Sequence, residues 1–252
     1  MDTNTNKTGK INRIQPNSPK CYKTESKPSK FCPGCGQSLI LKMLGFAIDE
    51  LGIAEKVVYG CDIGCMLLSW DFFDLNTVQT HHGRTAPVML GIKLADPSKI
   101  TLAYMGDGGA YAIGAQHLVA SALRNDPITI IVANNTLYAM TGGQEAPTTI
   151  PSELTTTTPQ GADRYFLLGP ELVRHLNSKA YVARGTVLNP LGVKEFLKKA
   201  ISHQMKDAGF SFVEILSGCP INWKTDAGGT IEFLKNLEKY FPLGEILPKA
   251  TD

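Results

Sequence analysis

Two apolar runs, Lys99-Ile-Thr-Leu-Ala-Tyr-Met105 and Pro127-Ile-Thr-Ile-Ile-Val-Ala133, constrain the fold of this chain more than any other feature. Both are β-rich and continuous rather than alternating with polar residues, which is the pattern of parallel strands buried on both faces. Between them, Ala110 to Asn125 carries apolar residues at helical spacing, so the segment reads as a βαβ unit. Further strands are expected over Lys56 to Tyr59, Ala180 to Val187 and Phe210 to Leu216, with helices near Ala86 and over Val193 to Met205. The fold class predicted is α/β: an open, mostly parallel sheet with helices on both faces.

A polar cluster follows each of the two runs. The first is Gly106-Asp107-Gly108. After residues 109 to 133 comes the second, Asn134-Asn135-Thr136-Leu137-Tyr138-Ala139-Met140-Thr141-Gly142-Gly143-Gln144. Alone, Gly-Asp-Gly is an ordinary turn after a strand. Both clusters, however, fall at carboxyl ends of strands, where open α/β sheets bind ligands. The block resembles a thiamine diphosphate site. A diphosphate needs a divalent cation to bridge it to the chain through hard oxygen ligands. Asp107 supplies a carboxylate, Asn135 an amide oxygen and Leu137 a backbone carbonyl, for which Mg2+ is the expected ion. Gly106 and Gly108 let the backbone approach the phosphates, and a helix starting near residue 110 would aim its amides at the anion. Thr141, Gly142, Gly143 and Gln144 are expected to line the cofactor turn.

The chain has six cysteines, at positions 21, 32, 35, 61, 65 and 219. Its first 30 residues show no secretory apolar stretch, so a cytoplasmic location is expected and a disulfide framework is not. Metal binding, catalysis or no role remain. Cys32-Pro33-Gly34-Cys35 places two thiols on one turn, which suits a cluster, zinc or a redox dithiol. It follows a basic arm rather than a strand, which weakens the thioredoxin-like alternative. Cys65 and Cys219 each follow an expected strand, and Cys61, four residues before Cys65, is its rival as a ligand. Cys21 reads as a free thiol on a mobile arm.

From about Phe31 to Leu243 the chain resembles the thiamine diphosphate-binding β subunit of the 2-oxoacid:ferredoxin oxidoreductases. Six ordered motifs carry the resemblance: Cys32-Pro-Gly-Cys-Gly36, Ile63-Gly-Cys65, Thr80-His-His-Gly-Arg84, Gly106-Asp-Gly108, Asn134-Asn135 with Thr141-Gly-Gly-Gln144, and Leu216-Ser-Gly-Cys219-Pro. It implies that Cys32, Cys35, Cys65 and Cys219 hold one [4Fe-4S] cluster beside the thiamine. It also places His82 and Arg84 at the substrate-facing side of the site, His82 as a donor to a developing oxyanion or a phosphate, Arg84 as a partner for a carboxylate or phosphate. Read without the family, that segment is a surface turn. His117, His175 and His203 sit in helical segments and are assigned no chemistry.

The implied reaction is oxidative decarboxylation of a 2-oxo acid to an acyl-CoA and CO2, with electrons leaving through the cluster to a ferredoxin and coenzyme A accepting the acyl group. No acid suited to activating the thiamine is evident here. In the family a glutamate of the α subunit does this, so the chain is expected to be catalytically incomplete alone. It lacks the closely spaced cysteines of a ferredoxin-like module, and further clusters would come from γ or δ subunits or the soluble carrier. Ala139-Met140, the Thr80 to Thr85 segment and Phe241-Pro-Leu-Gly244 look more like the branched-chain 2-oxo acid and 2-oxoglutarate subfamilies than the pyruvate enzymes. Two rivals stay open: a non-oxidative thiamine-dependent 2-oxo acid decarboxylase subunit, which has no use for four spaced cysteines, and a zinc-stabilised module in which Asp107 is a turn residue.

The 252 residues, 43% hydrophobic and 19% charged, suit one α/β domain with appended arms. The division expected is a basic, mobile arm over residues 1–30, a cofactor domain over 31–228 and a packing arm over 229–252. The first arm carries seven lysines or arginines against Asp2 and Glu25. A net charge of +2 without a basic helix argues against nucleic acid as a partner, and no apolar run is long enough to span a membrane. The stretch from Glu145 to Leu168, with three prolines and the run Thr155 to Thr158, reads as a long functional loop.

Overall fold

A computed structural model describes residues 18–23 and 29–248; residues 1–17, 24–28 and 249–252 lie outside it. The elements run in chain order as α1 (Gln37–Leu51), β1 (Val57–Cys61), β2 (Asn76–Gln79), α2 (Thr85–Ala95), β3 (Ile100–Gly106), α3 (Ala115–Arg124) and β4 (Thr129–Asn134). A short hairpin, β5 (Leu137–Tyr138) and β6 (Gln144–Glu145), follows. Then come α4 (Gly169–Leu176), β7 (Tyr181–Thr186), α5 (Pro190–Met205), β8 (Ser211–Leu216), α6 (Ala227–Tyr240) and β9 (Gly244–Glu245). The main sheet has the order β2-β1-β3-β4-β8-β7-β9, and every pairing is parallel except β7 with β9.

The continuous apolar runs bury both strand faces, and alternate residues feed two different cores. Leu102 and Tyr104 of β3 and Ile131 and Ala133 of β4 pack with α1 and α5; Ala103, Met105, Ile130 and Val132 pack on the other face with α2, α3 and α4. The two helical layers make the sheet the middle of three layers. The helix α1 has no counterpart among the sequence expectations, although its stripe is plain: Ile40, Leu41, Leu44, Ala47 and Ile48 recur at helical spacing and are all buried. Each such leucine or isoleucine contributes about 1.5–3 kcal/mol by its burial. Gly52 ends the helix in the left-handed region (φ 66°), where its N–H and that of Ile53 reach back to Asp49 and Ile48. Asn189 and Asp226 cap α5 and α6 by accepting the N–H groups of Gly192 and Gly229.

The amino-terminal segment departs from the expectation of a mobile arm where it is described. Tyr22 bridges antiparallel to Phe73, Lys23 N–H donates to the Phe72 carbonyl (2.9 Å), and Cys21 is buried in the core with its sulfur on the Gly45 carbonyl (3.5 Å). Cys21 is a free thiol as expected, but burial pushes it up to about 12, so it is an inert packing residue and not part of a mobile arm. The rest of that arm lies outside the described residues. At the other end β9 extends the sheet itself, pairing Gly244 and Glu245 with Arg184 and Ala183. Among the described residues no helix is long and apolar enough to cross a membrane.

Register decides what meets at the carboxyl edge. Cys61 lies abreast of Tyr104, Gly106 of Ala133, and Asn134 of Leu216. The residues immediately after β1, β3, β4 and β8 therefore form one row. Between β1 and β3 the chain reverses the direction in which strands are added, leaving a crevice of the kind in which such sheets bind ligands.

Candidate functional site

That crevice is a cleft of 110 Å3. Its walls are the β1 exit (Ile63 to Met66), His82, the β3 exit (Gly106 to Gly109), and Asn135 with Leu137 to Thr141 after β4. Asp107, Gly106, Gly108, Asn135, Leu137, Thr141, His82 and Cys65 are thus brought together, as the sequence reading expected. The other residues expected there lie elsewhere. Gly142 and Gly143 form the β5–β6 turn with φ of 110° and 83°, and Gln144 closes that turn by donating to the Thr141 carbonyl (2.9 Å).

Asp107 is 3% exposed, and among the described residues its one side-chain donor is the Thr148 hydroxyl (2.5 Å). Burial pushes its carboxyl up to about 7, against the hydrogen bonds from Thr148 and the Gly108 backbone. A carboxylate left so poorly compensated gains most from a cation. The glycines beside it are sterically required: a Cβ on Gly108 would strike the Tyr138 ring, and one on Gly109 would strike the Asp62 carboxylate. Asn135 is buried and accepts the Leu137 N–H on Oδ1 (3.3 Å), which turns the chain so that both residues face the cleft.

The helix after Asp107 opens differently from the expectation. Gly109 to Ile113 form a π turn, in which Gly114 donates to the Gly109 carbonyl (2.9 Å), and α-helix begins only at Ala115. The cause lies in side-chain partners outside the helix. Tyr111 is drawn inward to donate to Glu214, itself fully buried and paired with Arg184 (2.6 Å). Arg84 donates to the freed Ile113 carbonyl (2.8 Å). Arg84 therefore braces the turn from outside the cleft wall. Such π turns gather at functional sites.

His82 is held by a residue that sequence reasoning does not single out. Asp62 is fully buried at the β1 exit; one oxygen accepts the Gly83 N–H (2.7 Å) and the other faces His82 Nδ1 (3.2 Å), which also meets the Ile63 carbonyl (3.1 Å). The hydrogen bond to Asp62 holds the His82 pKa above the usual imidazole value, with burial opposing it. With Nδ1 so engaged, Nε2 is the ring nitrogen left for other contacts. A carboxylate one residue past a strand end, in Cys61-Asp62-Ile63-Gly64-Cys65, was the available signal. For Thr148, inside an aperiodic loop, there was none.

The cysteines separate into two groups. Burial pushes the Cys35 thiol up to about 12, and Cys65, Cys219 and Cys32 add to the rise. Cys65 is raised to about 11 by burial, then by Cys219, Cys32 and Asp107. The turn that carries Cys32 and Cys35 packs against the β8 exit, where a Cβ on Gly36 would come within 2.9 Å of Ser217 Cβ and one on Gly34 within 3.2 Å of Pro220 Cγ, while Cys65 stands on the cleft wall. Cys61 faces the Val78 carbonyl (3.8 Å) in the core, and burial pushes it up to about 11. Among the described residues no three His, Cys, Asp or Glu side chains close to the spacing of a single-ion site.

Residues 62–215 match the family model described as the thiamine pyrophosphate enzyme, C-terminal TPP binding domain. The chain is 36% identical over 230 residues to the ketoisovalerate oxidoreductase subunit VorA of Methanothermobacter marburgensis, covering 88% of this chain and 48% of that one. It is also 36% identical over 214 residues to the 2-oxoglutarate synthase subunit KorB of Archaeoglobus fulgidus, covering 84% and 78%. The chain thus spans about half the length of the VorA relatives. A solved 2-oxoglutarate:ferredoxin oxidoreductase from Magnetococcus marinus, with 2-oxoglutarate, coenzyme A and succinyl-CoA bound, superposes with a TM-score of 0.77 at 28% identity, over 95% of this chain and 88% of that one. The chain belongs to the thiamine diphosphate-binding β subunits of the 2-oxoacid:ferredoxin oxidoreductases.

Proposed function

We propose that the chain works with an α subunit to oxidise a 2-oxo acid to its acyl-CoA and CO2, and that it holds thiamine diphosphate, Mg2+ and one [4Fe-4S] cluster. The observation that carries this reading is a buried, poorly compensated Asp107 that shares the cleft wall with Cys65, together with the turn of Cys32 and Cys35 packed against the segment that carries Cys219. A non-oxidative decarboxylase has no use for the second feature.

In this reading Asp107, the Asn135 amide and the Leu137 carbonyl hold Mg2+ against the diphosphate, while Gly106 and Gly108 admit the phosphates. Cys32, Cys35, Cys65 and Cys219 hold the cluster. When bound, the thiamine would supply the nucleophile and electron sink for decarboxylation, and the cluster a one-electron acceptor on the way to ferredoxin. His82, steadied through Nδ1 by Asp62, presents Nε2 as a proton or hydrogen-bond donor to the substrate oxygen. Arg84 fixes the turn that carries Gly109. Further clusters come from γ or δ subunits or the soluble carrier. The α subunit closes the cleft, supplies the activating acid and shares the substrate contacts; residues 31–228 are the cofactor domain, with residues 1–30 and 229–252 flanking it.

For the substrate, the cleft wall carries Ile63, Met66, Leu137 and Met140 and, among its described residues, no lysine or arginine. Such a wall suits an aliphatic side chain better than a second carboxylate. A branched-chain 2-oxo acid is the proposed substrate, with 2-oxoglutarate second. The test is anaerobic assay of the holoenzyme with coenzyme A and ferredoxin. 2-Oxoisovalerate should bleach the cluster band and yield acyl-CoA with a higher kcat/KM than 2-oxoglutarate. Release of the aldehyde and CO2, with no acyl-CoA and no bleaching, would replace this reading with the non-oxidative one.

A further inference from the structure

Asn222 lies three residues beyond Cys219, in a turn closed by Trp223 N–H on the Cys219 carbonyl (3.0 Å) and Thr225 N–H on Pro220 (3.0 Å). Its Nδ2 donates to the Cys219 sulfur (3.3 Å) and to the Ala139 carbonyl (2.8 Å). An amide nitrogen carries two hydrogens, so both bonds form at once and the donor capacity is fully used. The orientation is fixed by its partners: a flipped amide would set its oxygen against a carbonyl. The neighbouring Trp223 donates its indole N–H to the Asn135 carbonyl (3.1 Å). These two consecutive side chains therefore hold both ends of the loop from Asn135 to Ala139, of which Asn135 and Leu137 to Ala139 line the cleft. Gly143 completes the fit, since a Cβ there would come within 3.1 Å of Asn222 Cβ.

We propose that Asn222 is a positioning residue that ties the thiamine loop to the cluster and tunes the cluster through the Cys219 sulfur. This rests on the cluster reading above. Reduction adds negative charge to the cluster and its thiolates, so an N–H donor on one sulfur favours the reduced form and raises the potential. The same amide fixes the Ala139 carbonyl, so the loop beside the thiamine and the electron acceptor move as one body.

The test is an EPR-monitored redox titration of the anaerobically prepared holoenzyme, with iron and thiamine diphosphate content measured on the same samples. Asn222→Leu removes both donors. Asn222→Asp keeps the shape and sets a carboxylate against the sulfur. Both variants should retain their iron, and the one-electron equilibrium of the cluster should shift about tenfold toward the oxidised form, a fall of about 59 mV. The shift in Asn222→Asp should be at least as large. An unmoved potential in both variants, with weaker thiamine diphosphate binding, would reduce Asn222 to a loop tether and overturn the proposal. Iron lost only from the variants would overturn it too, because Asn222 would then retain the cysteine rather than tune it. Iron missing from the unaltered holoenzyme after reconstitution would instead remove the cluster reading, and this inference with it.

Discussion

At the amino ends of β3 and β4, the buried amide of Gln204 accepts the Thr101 N–H (2.9 Å) and donates to the Thr101 carbonyl (2.9 Å) and the Thr129 hydroxyl (2.8 Å). At the carboxyl ends of the same two strands stand Asp107, with a single side-chain donor, and Asn134, whose buried Nδ2 has no hydrogen-bond partner among the described residues. The unmatched atom at the first end is one neutral hydroxyl, that of Thr101. At the second, Asn134 Nδ2 is unmatched and the Asp107 carboxylate has only the Thr148 hydroxyl and nearby backbone N–H groups to offset its burial among the described residues. One end of the sheet answers its own polar groups and so contributes stability. The other leaves an amide donor unanswered and a carboxylate short of compensation, at a cost to the free chain; an acceptor group would satisfy the amide and a cation the carboxylate.

This contrast breaks first at Asp107. Asp107→Ala should weaken Mg2+-dependent thiamine diphosphate binding by about a hundredfold, the weight of ~3 kcal/mol of charge-assisted contact. The melting temperature of the free chain should hold or rise, since a desolvated carboxyl has been removed. Calorimetric titration and a thermal melt check both halves, and retained binding would remove Asp107 as the ion's ligand. Gln204→Leu should do the reverse. It leaves buried backbone groups unpaired, costing about 2 kcal/mol of stability by urea unfolding, with cofactor content unchanged.

The same contrast predicts a pH slope. The Asp107 pKa is raised in the folded chain, so its folded form holds a proton that the unfolded form has released. Stability of the cofactor-free chain should therefore fall as pH rises from the ordinary carboxylate range toward 7. Asp107→Asn should flatten that slope, which urea unfolding across the window measures. A smaller effect belongs to His82. Its raised pKa adds stability that is complete below the ordinary imidazole range and lost as pH rises through the folded value. Asp62→Asn should bring the pKa down toward the usual value, read from imidazole NMR shifts, and an unmoved titration would remove Asp62 as its partner.

The sheet was legible because strands buried on both faces carry long apolar runs, as β3 and β4 do, and β7 and β8 keep enough of the pattern around buried Arg184 and Glu214. The edge strand β2, Asn76–Gln79, is partly exposed and polar and gives no such signal. Asp107, Asn135 and Leu137 were legible because short-range turn chemistry at strand ends fixes them. Thr148 and Asn222 were not, because their roles depend on loops brought together from 41 and 83 residues away. The π turn was hidden for the same reason: it depends on Glu214 and Arg84, neither of which marks the local sequence of Gly109 to Ile113.

The most direct test of the account is iron, acid-labile sulfide and thiamine diphosphate content, measured on anaerobically prepared protein and on the six single Cys→Ser variants. The account predicts about four irons per chain. That content should be lost on substitution at 32, 35, 65 or 219 and kept on substitution at 21 or 61. Thiamine diphosphate bound to a chain that takes up no iron even after reconstitution, or iron that depends on Cys61 and not on Cys65, would contradict it.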